Sequence, residues 1–365
     1  MHFEHVLVLV DFSEGSDGAL RRAIQICDAK HARLTVLHAI GPPGTVPEDV
    51  RERIAATADD ELDARCARAS DAGVDATAWL HPGSPVEALE EGDVTLAPDL
   101  VVVGARGHSA LHRIWLGSVA EAVVRQARGP VLVVRGGGAD APYNRVLWAS
   151  DGSPDSAEAL RVADAIADAA AQRDVVHVAD ELVEPEVLRG RLAIDPLRKE
   201  ARERLEAVAA AEHATPHFAE GPAAVEICRL AERLESDLIA IGAVGTRADA
   251  WLQPGSVTTR VLRRSACSVL VGRDRTAHPE LLAAARDAHG VLGDVAELGK
   301  EEAHELRESI REVTRMARDA RALEDEMLQL LAQELRERVA LLEADHPLVA
   351  EALSGVVRQL ARLGI

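Results

Sequence analysis

A glycine spacing that occurs twice constrains this chain more than any other feature. The stretch LVVVGARGHSALHRIWLGS carries Gly104, Gly107 and the pair Gly117-Ser118 in the pattern G-x2-G-x9-G-S, and LIAIGAVGTRADAWLQPGS repeats it with Gly242, Gly245 and Gly255-Ser256. Each copy follows an apolar run, the first being Leu100 to Val103, that reads as a short buried strand. Glycine makes up about 7% of an average chain, so coincidence at fixed offsets, twice, is a poor explanation. Residues without a Cβ let backbone N–H groups approach phosphate oxygens, and a serine at the start of the next helix adds a hydroxyl donor. The competing reading is that the glycines only shape a strand-to-helix turn.

The elements around the first copy follow in order. Val6 to Val10 reads as a strand buried on both faces and ending at Asp11; Phe12 to Ser16 turns into a helix with Ala19, Leu20, Ala23, Ile24 and Cys27 on one face. Arg33 to Ile40 is a second strand, a long helix runs from about Pro47 to Ala72, and Val74 to Leu80 is a third strand before a helix opened by HPGSP. A glycine run, Gly136 to Gly138, makes a short flexible joint, and the order then restarts. Arg145 to Ser150 and Asp174 to Ala179 read as strands, Ser156 to Gln172 and about Pro185 to Glu212 as helices, with Asp151 in the place of Asp11 and His177 in that of His38. Strands alternating with helices predict open parallel α/β sheets, with ligands beyond the carboxyl ends of the strands. Asp11 has two readings there: a turn-forming or helix-capping carboxylate, or a ligand contact. His38 reads as a satisfied sheet histidine.

Composition excludes several classes. A net charge of −20 repels phosphate backbones, and aromatic residues at 2% leave little for base stacking, so a nucleic-acid partner is not expected. Cys27, Cys66, Cys228 and Cys267 show no paired or metal-ligand spacing, which predicts free thiols in a reducing cytoplasm and no metal site. Met1 leads straight into a strand and no long apolar stretch follows, so neither export nor a membrane span is expected.

The glycine pattern, together with VLVLVDFSEGS, VLWASDGSPDS, GSVAEAVVRQARGPVLVVR and GSVTTRVLRRSACSVLVGR, resembles the universal stress protein family in its ATP-binding form. The resemblance covers roughly residues 1–273. It implies two tandem open parallel five-stranded α/β/α sheets, similar to the adenine-nucleotide α-hydrolase fold, at residues 1–136 and 144–274. It also implies ATP, with magnesium as an accompanying ion, in a nucleotide-responsive stress regulator. By the same resemblance Asp11 lies near adenine or ribose beside the backbone of Phe12, Ser13 and Ala39. Val103, Gly104, Arg106, Gly107, His108, Gly117, Ser118 and the N–H of Val119 take the phosphates. The second set is Asp151, Val178, Gly242, Gly245, Gly255, Ser256 and Val257. Family members pair through the last strand, so the runs Pro130 to Val134 and Ser268 to Gly272 imply an internal pseudo-dimer; otherwise they are edges masked by loops.

The second copy departs from the first. Val244 and Thr246 replace Arg106 and His108, Asp249 adds an acid, and Pro254 precedes Gly255. A carboxylate near a triphosphate costs Coulomb energy unless a metal ion intervenes, so weaker binding is expected there. SDGSPDS lacks the second glycine of an adenylating phosphate loop, residues 105–108 lack HxGH, and no G-x4-G-K-[ST] occurs. No general base or nucleophile is evident, so hydrolysis is expected to be slow at most. The rival classes are an adenylyl-transferring enzyme of related fold and a nucleotide-independent scaffold with structural glycines.

Residues 277–365 lie outside the resemblance. Leu306, Ile310, Val313, Ala317, Ala320, Met327 and Leu331 recur at three- and four-residue steps, which predicts an amphipathic or coiled-coil helix from about Glu301 to Glu343 that spans ~60 Å unless it folds back. After Asp345-His346-Pro347 a last helix is expected to bury Leu348, Ala352, Val356, Leu360 and Leu363. The end of the tail resembles a family of short uncharacterised bacterial helical proteins, which implies a shape and no chemistry. Self-association into a homo-oligomer, a homodimer at its simplest, is the expected use of such a stripe.

Overall fold

The computed structural model describes residues 3–41, 47–105, 116–136, 141–179, 194–243 and 256–273, and in the tail 284–285, 288, 291, 305–306, 308–310, 313, 326–342 and 346–362. Two compact units divide the chain: Met1–Glu90 with Pro98–Arg273, and Glu91–Ala97 with Asp274–Ile365.

In the first unit the elements are β1 (His5–Leu9), α1 (Glu14–Lys30), β2 (Arg33–Ala39), α2 (Glu48–Asp71), β3 (Ala76–His81), α3 (Pro85–Thr95, its last turn falling in the second unit), β4 (Leu100–Gly104), α4 (Ser118–Gln126) and β5 (Val131–Val134). The order then restarts with β6 (Tyr143–Ala149), α5 (Pro154–Ile166), β7 (Ala167–Ala179), α6 (Ile194–Ala211), β8 (Thr215–Glu220), α7 (Ala223–Arg233), β9 (Leu238–Gly242), α8 (Ser256–Arg264) and β10 (Ser268–Gly272). All ten strands form one sheet, ordered β3-β2-β1-β4-β5-β10-β9-β6-β7-β8. Each five-stranded half is parallel, and the halves meet where β5 and β10 pair antiparallel, Leu132 opposite Leu270. Thus the last strands pair within the chain instead of being masked by loops. β1, β4, β5, β9 and β10 are buried along their whole length, as central strands covered on both faces must be.

Local chemistry sets the helix starts. Ser13 caps α1 by accepting the N–H of Ser16 at 3.3 Å, and Ser153 caps α5 by accepting that of Ser156 at 3.2 Å. Ser84 and Glu87 form a reciprocal capping box before α3. Asp99 and Asp237 occupy matching positions: Asp99 accepts the N–H groups of Glu4 and His5 where β1 begins, and Asp237 those of Asn144 and Arg145 near the start of β6. The described end of the joint between repeats is anchored: Arg22 donates to the carbonyl of Ala141 at 2.6 Å and stacks 3.9 Å from the centre of the Tyr143 ring.

Two sequence expectations fail. The helix expected to run to Gln172 stops at Ile166, and the alanine-rich stretch that follows joins β7, with Ala167 paired to Tyr143 and Gln172 to Arg145. Helix propensity loses here to pairing with β6, and the carboxylate of Asp168 accepts the N–H of Ala170 within the resulting irregularity. The second failure is in the tail. There the described residues include α9 (Glu326–Leu342) and α10 (Pro347–Arg362). Leu306, Ile310 and Val313 are buried in one cluster with Leu331, Ala332, Leu335, Leu353, Val356 and Leu360. Ser309 donates to Glu334 and Arg338 pairs with Glu305, so the chain folds back on itself, the alternative to a single rod that the sequence left open. The expectation that fails is the burial of Leu348. In α10 the buried stripe is Val349, Leu353, Val356 and Leu360, while Leu348 is 69% exposed. A 3.6-residue period through Leu353, Val356 and Leu360 selects Val349 and turns its neighbour outward. Ala317, Ala320 and Leu363, and the side chain of Met327, lie outside the described residues.

Gly104 and Gly242 end β4 and β9 against the first turns of α1 and α5. A Cβ at Gly104 would lie 2.7 Å from the carbonyl oxygen of Gly15, and one at Gly242 would lie 2.8 Å from the amide nitrogen of Ser156. Backbone cannot yield as a flexible side chain does. Gly104→Ala and Gly242→Ala are therefore each expected to cost about 1–3 kcal/mol, the usual range for overpacking, with urea unfolding midpoints as the measurement; unchanged midpoints would mean the helices do not approach this closely.

Candidate functional site

The carboxyl edge of the first half brings the predicted residues together by strand register. Leu9 pairs with Leu37 on one side and Val103 on the other, so Asp11, Ala39 and Gly104 emerge along one edge. The Oδ1 of Asp11 accepts the N–H of Ser13 at 3.1 Å and its hydroxyl at 2.5 Å. Asp11 is therefore a turn-forming carboxylate by geometry, half-buried and fixed in direction at the strand end. Asp151 accepts the N–H of Ser153 at 3.0 Å in the same way but is exposed.

Next to each aspartate the backbone enters the left-handed region, Phe12 at φ 64° and Gly152 at φ 78°. Glycine adopts this freely whereas phenylalanine does so at a cost, offset here by what its ring touches. The Phe12 ring stacks on His38, centroids 4.2 Å apart, and the Arg65 guanidinium lies over the ring, 4.6 Å from its centre. His38 Nδ1 bonds the carbonyl of Val10 at 2.8 Å, while Arg65, buried, pairs with Asp17 and Glu61. An arginine, an aromatic ring and a histidine thus lock the β1–α1 turn. In the second half a similar stack uses other positions. His177 bonds the carbonyl of Ser150, Phe218 on β8 lies 6.0 Å from its ring, and Arg202 covers Phe218 at 4.5 Å. The ring there comes from the neighbouring strand and leaves Gly152 unconstrained by any aromatic of its own. Beside this second stack, Arg198, Lys199, Arg202, Glu203, Glu206 and Glu220 line a depression of about 450 Å³. Most of its charges pair internally: Arg198 and Arg202 lie 3.1 Å and 3.8 Å from Glu220, and Lys199 lies 3.8 Å from Glu203.

At the phosphate end, Gly117 is the N-cap of α4 with φ −66° and ψ 150° and supplies no side-chain cap. Its own N–H donates to the carbonyl of Ala105 at 2.8 Å, which ties the start of α4 to the end of β4. Among the described residues no side chain caps the first-turn N–H groups of α4, the arrangement that suits an anion at a helix N-terminus. Ser118 and Val119 are exposed on that turn. In the second half the hydroxyl of Thr258 donates to the carbonyl of Gly242 at 2.7 Å, holding α8 to β9. Gly242 ends β9, and Val257 is half-buried in the first turn of α8, which Ser256 opens. Val103 is buried, so only its backbone can face a ligand; Ala39 and Val178 are half-buried near the ends of β2 and β7. Arg106, Gly107, His108, Gly245 and Gly255, with the substituted Val244, Thr246, Asp249 and Pro254, lie outside the described residues.

Sequence reasoning missed the ring of Phe12 and the side chains of Arg65, Arg202 and Phe218. A bulky residue directly after a strand-ending aspartate, where the other repeat has glycine, is the signal that could have found Phe12. The four cysteines are free thiols. Burial pushes Cys27 up to about 12 and Cys228 up to about 11, which suits packing and not nucleophilic work. Among the described residues no three His, Cys, Asp or Glu side chains converge as a metal site, and no helix is long and apolar enough to cross a membrane.

The sequence model of the universal stress protein family matches residues 2–135 and 142–273. A universal stress protein of Thermus aquaticus is 32% identical over 142 residues, which are 36% of this chain and 99% of that one. One from Mycolicibacterium smegmatis is 33% identical over 165 residues, 41% of this chain and 55% of its own. Among solved structures, a universal stress protein from Archaeoglobus fulgidus superposes with TM-score 0.57 at 22% identity, covering 74% of this chain and 98% of that one, a likeness of fold.

Burial lowers the pKa of His38, and the Arg65 charge adds to this against the opposing pull of the Val10 carbonyl and Asp11. The unfolded chain therefore takes a proton on this ring at higher pH than the folded one, so the stabilisation is present above about pH 6.5 and is lost as pH falls toward the lowered value. His38→Gln is expected to remove that part of the pH dependence. Thermal unfolding from pH 7.5 down to 5 measures it, and identical slopes for both proteins would contradict the assignment.

Proposed function

The chain belongs to the universal stress protein family, and from that footing we propose that it is an ATP-binding, nucleotide-responsive regulatory protein whose principal site is the first crevice. The observation that carries the reading is the first turn of α4, where the N-cap Gly117 supplies no capping side chain and Ala105 ties it to the strand edge where Asp11 is fixed. Adenine or ribose would meet Asp11 and the backbone of Phe12, Ser13 and Ala39. The phosphates would meet the N–H groups of Ser118 and Val119 and the hydroxyl of Ser118. Magnesium, where it accompanies ATP, would ride on phosphate oxygens, since the Asp11 Oδ1 atom is already taken by two donors. Asp151 is exposed and Gly152 has no ring to hold it, which supports a weaker second crevice on grounds separate from the side-chain changes in its glycine loop.

A second reading has its own observation. Gly104 and Gly242 are required by the approach of α1 and α5, so these two motif glycines have a purely structural reason to exist. A nucleotide-independent scaffold therefore remains the alternative. An adenylyl-transferring enzyme has no comparable support, because the signatures such enzymes use are missing from the sequence.

The tail helices support self-association. Leu330 and Leu341 of α9 are 62% and 72% exposed and sit three turns apart on one face, with the exposed Glu334 and Glu337 between them, two apolar anchors available to a second copy of the chain. Leu341→Glu should shift the protein toward the monomer in sedimentation velocity; a monomeric wild-type chain would refute self-association.

Calorimetry with ATP tests the main reading. Gly117→Val should lose most of the binding, because side-chain bulk blocks backbone approach, while Gly255→Val should lose less. Equal losses would overturn the ranking of the crevices, and no heat with ATP, ADP or cyclic AMP for the unaltered chain would favour the scaffold.

A further inference from the structure

The pairing of β5 with β10 places each repeat's last residues against the other repeat's last helix. In α4 the carbonyls of Val124 and Arg125 belong to the final turn, where no intrahelical N–H follows to meet them. Arg273, directly after β10, donates to both, at 3.0 Å and 3.3 Å. The mirror contact is also present: Arg135, directly after β5, donates to the carbonyl of Leu262 in the last turn of α8. A guanidinium at a helix C-terminus also complements the helix dipole, whose positive end is the N-terminus. The two arginines therefore cap, in crossed fashion, the two helices whose N-termini face the candidate phosphate sites.

The backbone continues each crossing back to a glycine motif. The N–H of Ala243, the residue after Gly242, donates to the carbonyl of Gly272 at 2.8 Å, next to Arg273. Symmetrically, the N–H of Ala105 donates to the carbonyl of Val134 at 3.0 Å, next to Arg135, and the carbonyl of Ala105 receives the N–H of Gly117. An uninterrupted series of bonds thus runs from the N-terminus of α4, through its C-terminus and Arg273, to the start of the second glycine motif. Its mirror runs from the last turn of α8 through Arg135 to the first motif. An ion pair at 2.7 Å between Glu121 of α4 and Arg263 of α8 lies alongside.

We propose that Arg273 is a positioning residue of the first crevice and Arg135 of the second, so that each phosphate-facing helix is held by the opposite repeat and the two crevices are coupled. This rests on the nucleotide reading above and adds to it a dependence between sites that a single domain cannot have. Arg273 touches no ligand; it acts through α4. Displacing α4 toward bound phosphates displaces the carbonyls that Arg273 holds, and through Gly272 and Ala243 the backbone of the second motif.

The test uses the full chain carrying Gly255→Val, so that binding reports the first crevice, with ATP, inorganic triphosphate and adenosine as probes. Arg273→Met should weaken ATP and triphosphate by roughly fivefold or more, the range of coupling between linked sites, and leave adenosine binding unchanged. Arg273→Lys, which keeps a charged donor, should fall between. Unchanged ATP affinity in Arg273→Met overturns this inference alone, and so does an equal loss for adenosine, since general loosening does not distinguish base from phosphate. No ATP binding by the unaltered chain overturns the nucleotide reading and this inference with it. In the Gly255→Val chain, ATP should slow amide exchange in the last turn of α4 and in β10; protection confined to the first repeat overturns the coupling without any change at Arg273.

Discussion

The pairing of two short, wholly buried strands, β5 and β10, is the contact on which the rest of the first unit depends. Alone, either strand would leave a row of unpaired backbone groups at the edge of an apolar sheet, an invitation to aggregation. Joined antiparallel, with Leu132 opposite its own repeat equivalent Leu270, they satisfy each other and fix a local two-fold relation between the halves. That relation sets the crossing of Arg135 and Arg273 and puts the carboxyl ends of the two parallel halves, with their candidate crevices, on opposite edges of the sheet. A covalent tandem repeat secures this contact at any protein concentration, which separate domains could not do.

Equivalent backbones then carry unequal sites. The strand-to-helix turns are the same in outline: an aspartate accepting the N–H two residues on, a left-handed residue, a serine N-cap. At the left-handed position one repeat has phenylalanine and the other glycine. In the first repeat the cost of that backbone conformation is offset by the ring's contacts with His38 and Arg65, which hold the turn. In the second the ring comes from β8, so the turn is relieved of strain and of restraint together. Preorganisation therefore favours the first crevice.

Much of this architecture was legible in the sequence because it rests on strong, local signals. Buried β-branched runs give the strands, the repeated glycine spacing gives the duplication, and serine after aspartate gives the helix starts. The failures have physical causes. The stretch Ala167 to Ala171 favours helix on its own, yet pairing with Tyr143 and the strand behind it wins. In the tail, Leu348 is expected in the buried stripe, yet the stripe runs through Val349, Leu353, Val356 and Leu360; periodicity leaves open whether Leu306, Ile310 and Val313 face another chain or this one, and α9 and α10 cover them. Of the candidate site, Asp11 and Gly117 were legible because turn and cap chemistry is local. Arg65, Phe218 and the crossed arginines were not, since each acts on a residue distant in sequence. The dual meaning of Gly104 was equally hidden: a missing Cβ reads the same whether it admits a phosphate or a neighbouring helix.

The central claim is that the strand edge at Asp11 and the first turn of α4 together hold an adenine nucleotide. A crystal structure of the full chain grown with ATP addresses it most directly. The account predicts density in the first crevice, with the base or ribose against Asp11 and Ala39 and the phosphates at Ser118 and Val119. A first crevice that is empty, or a nucleotide bound elsewhere on the molecule, would contradict it.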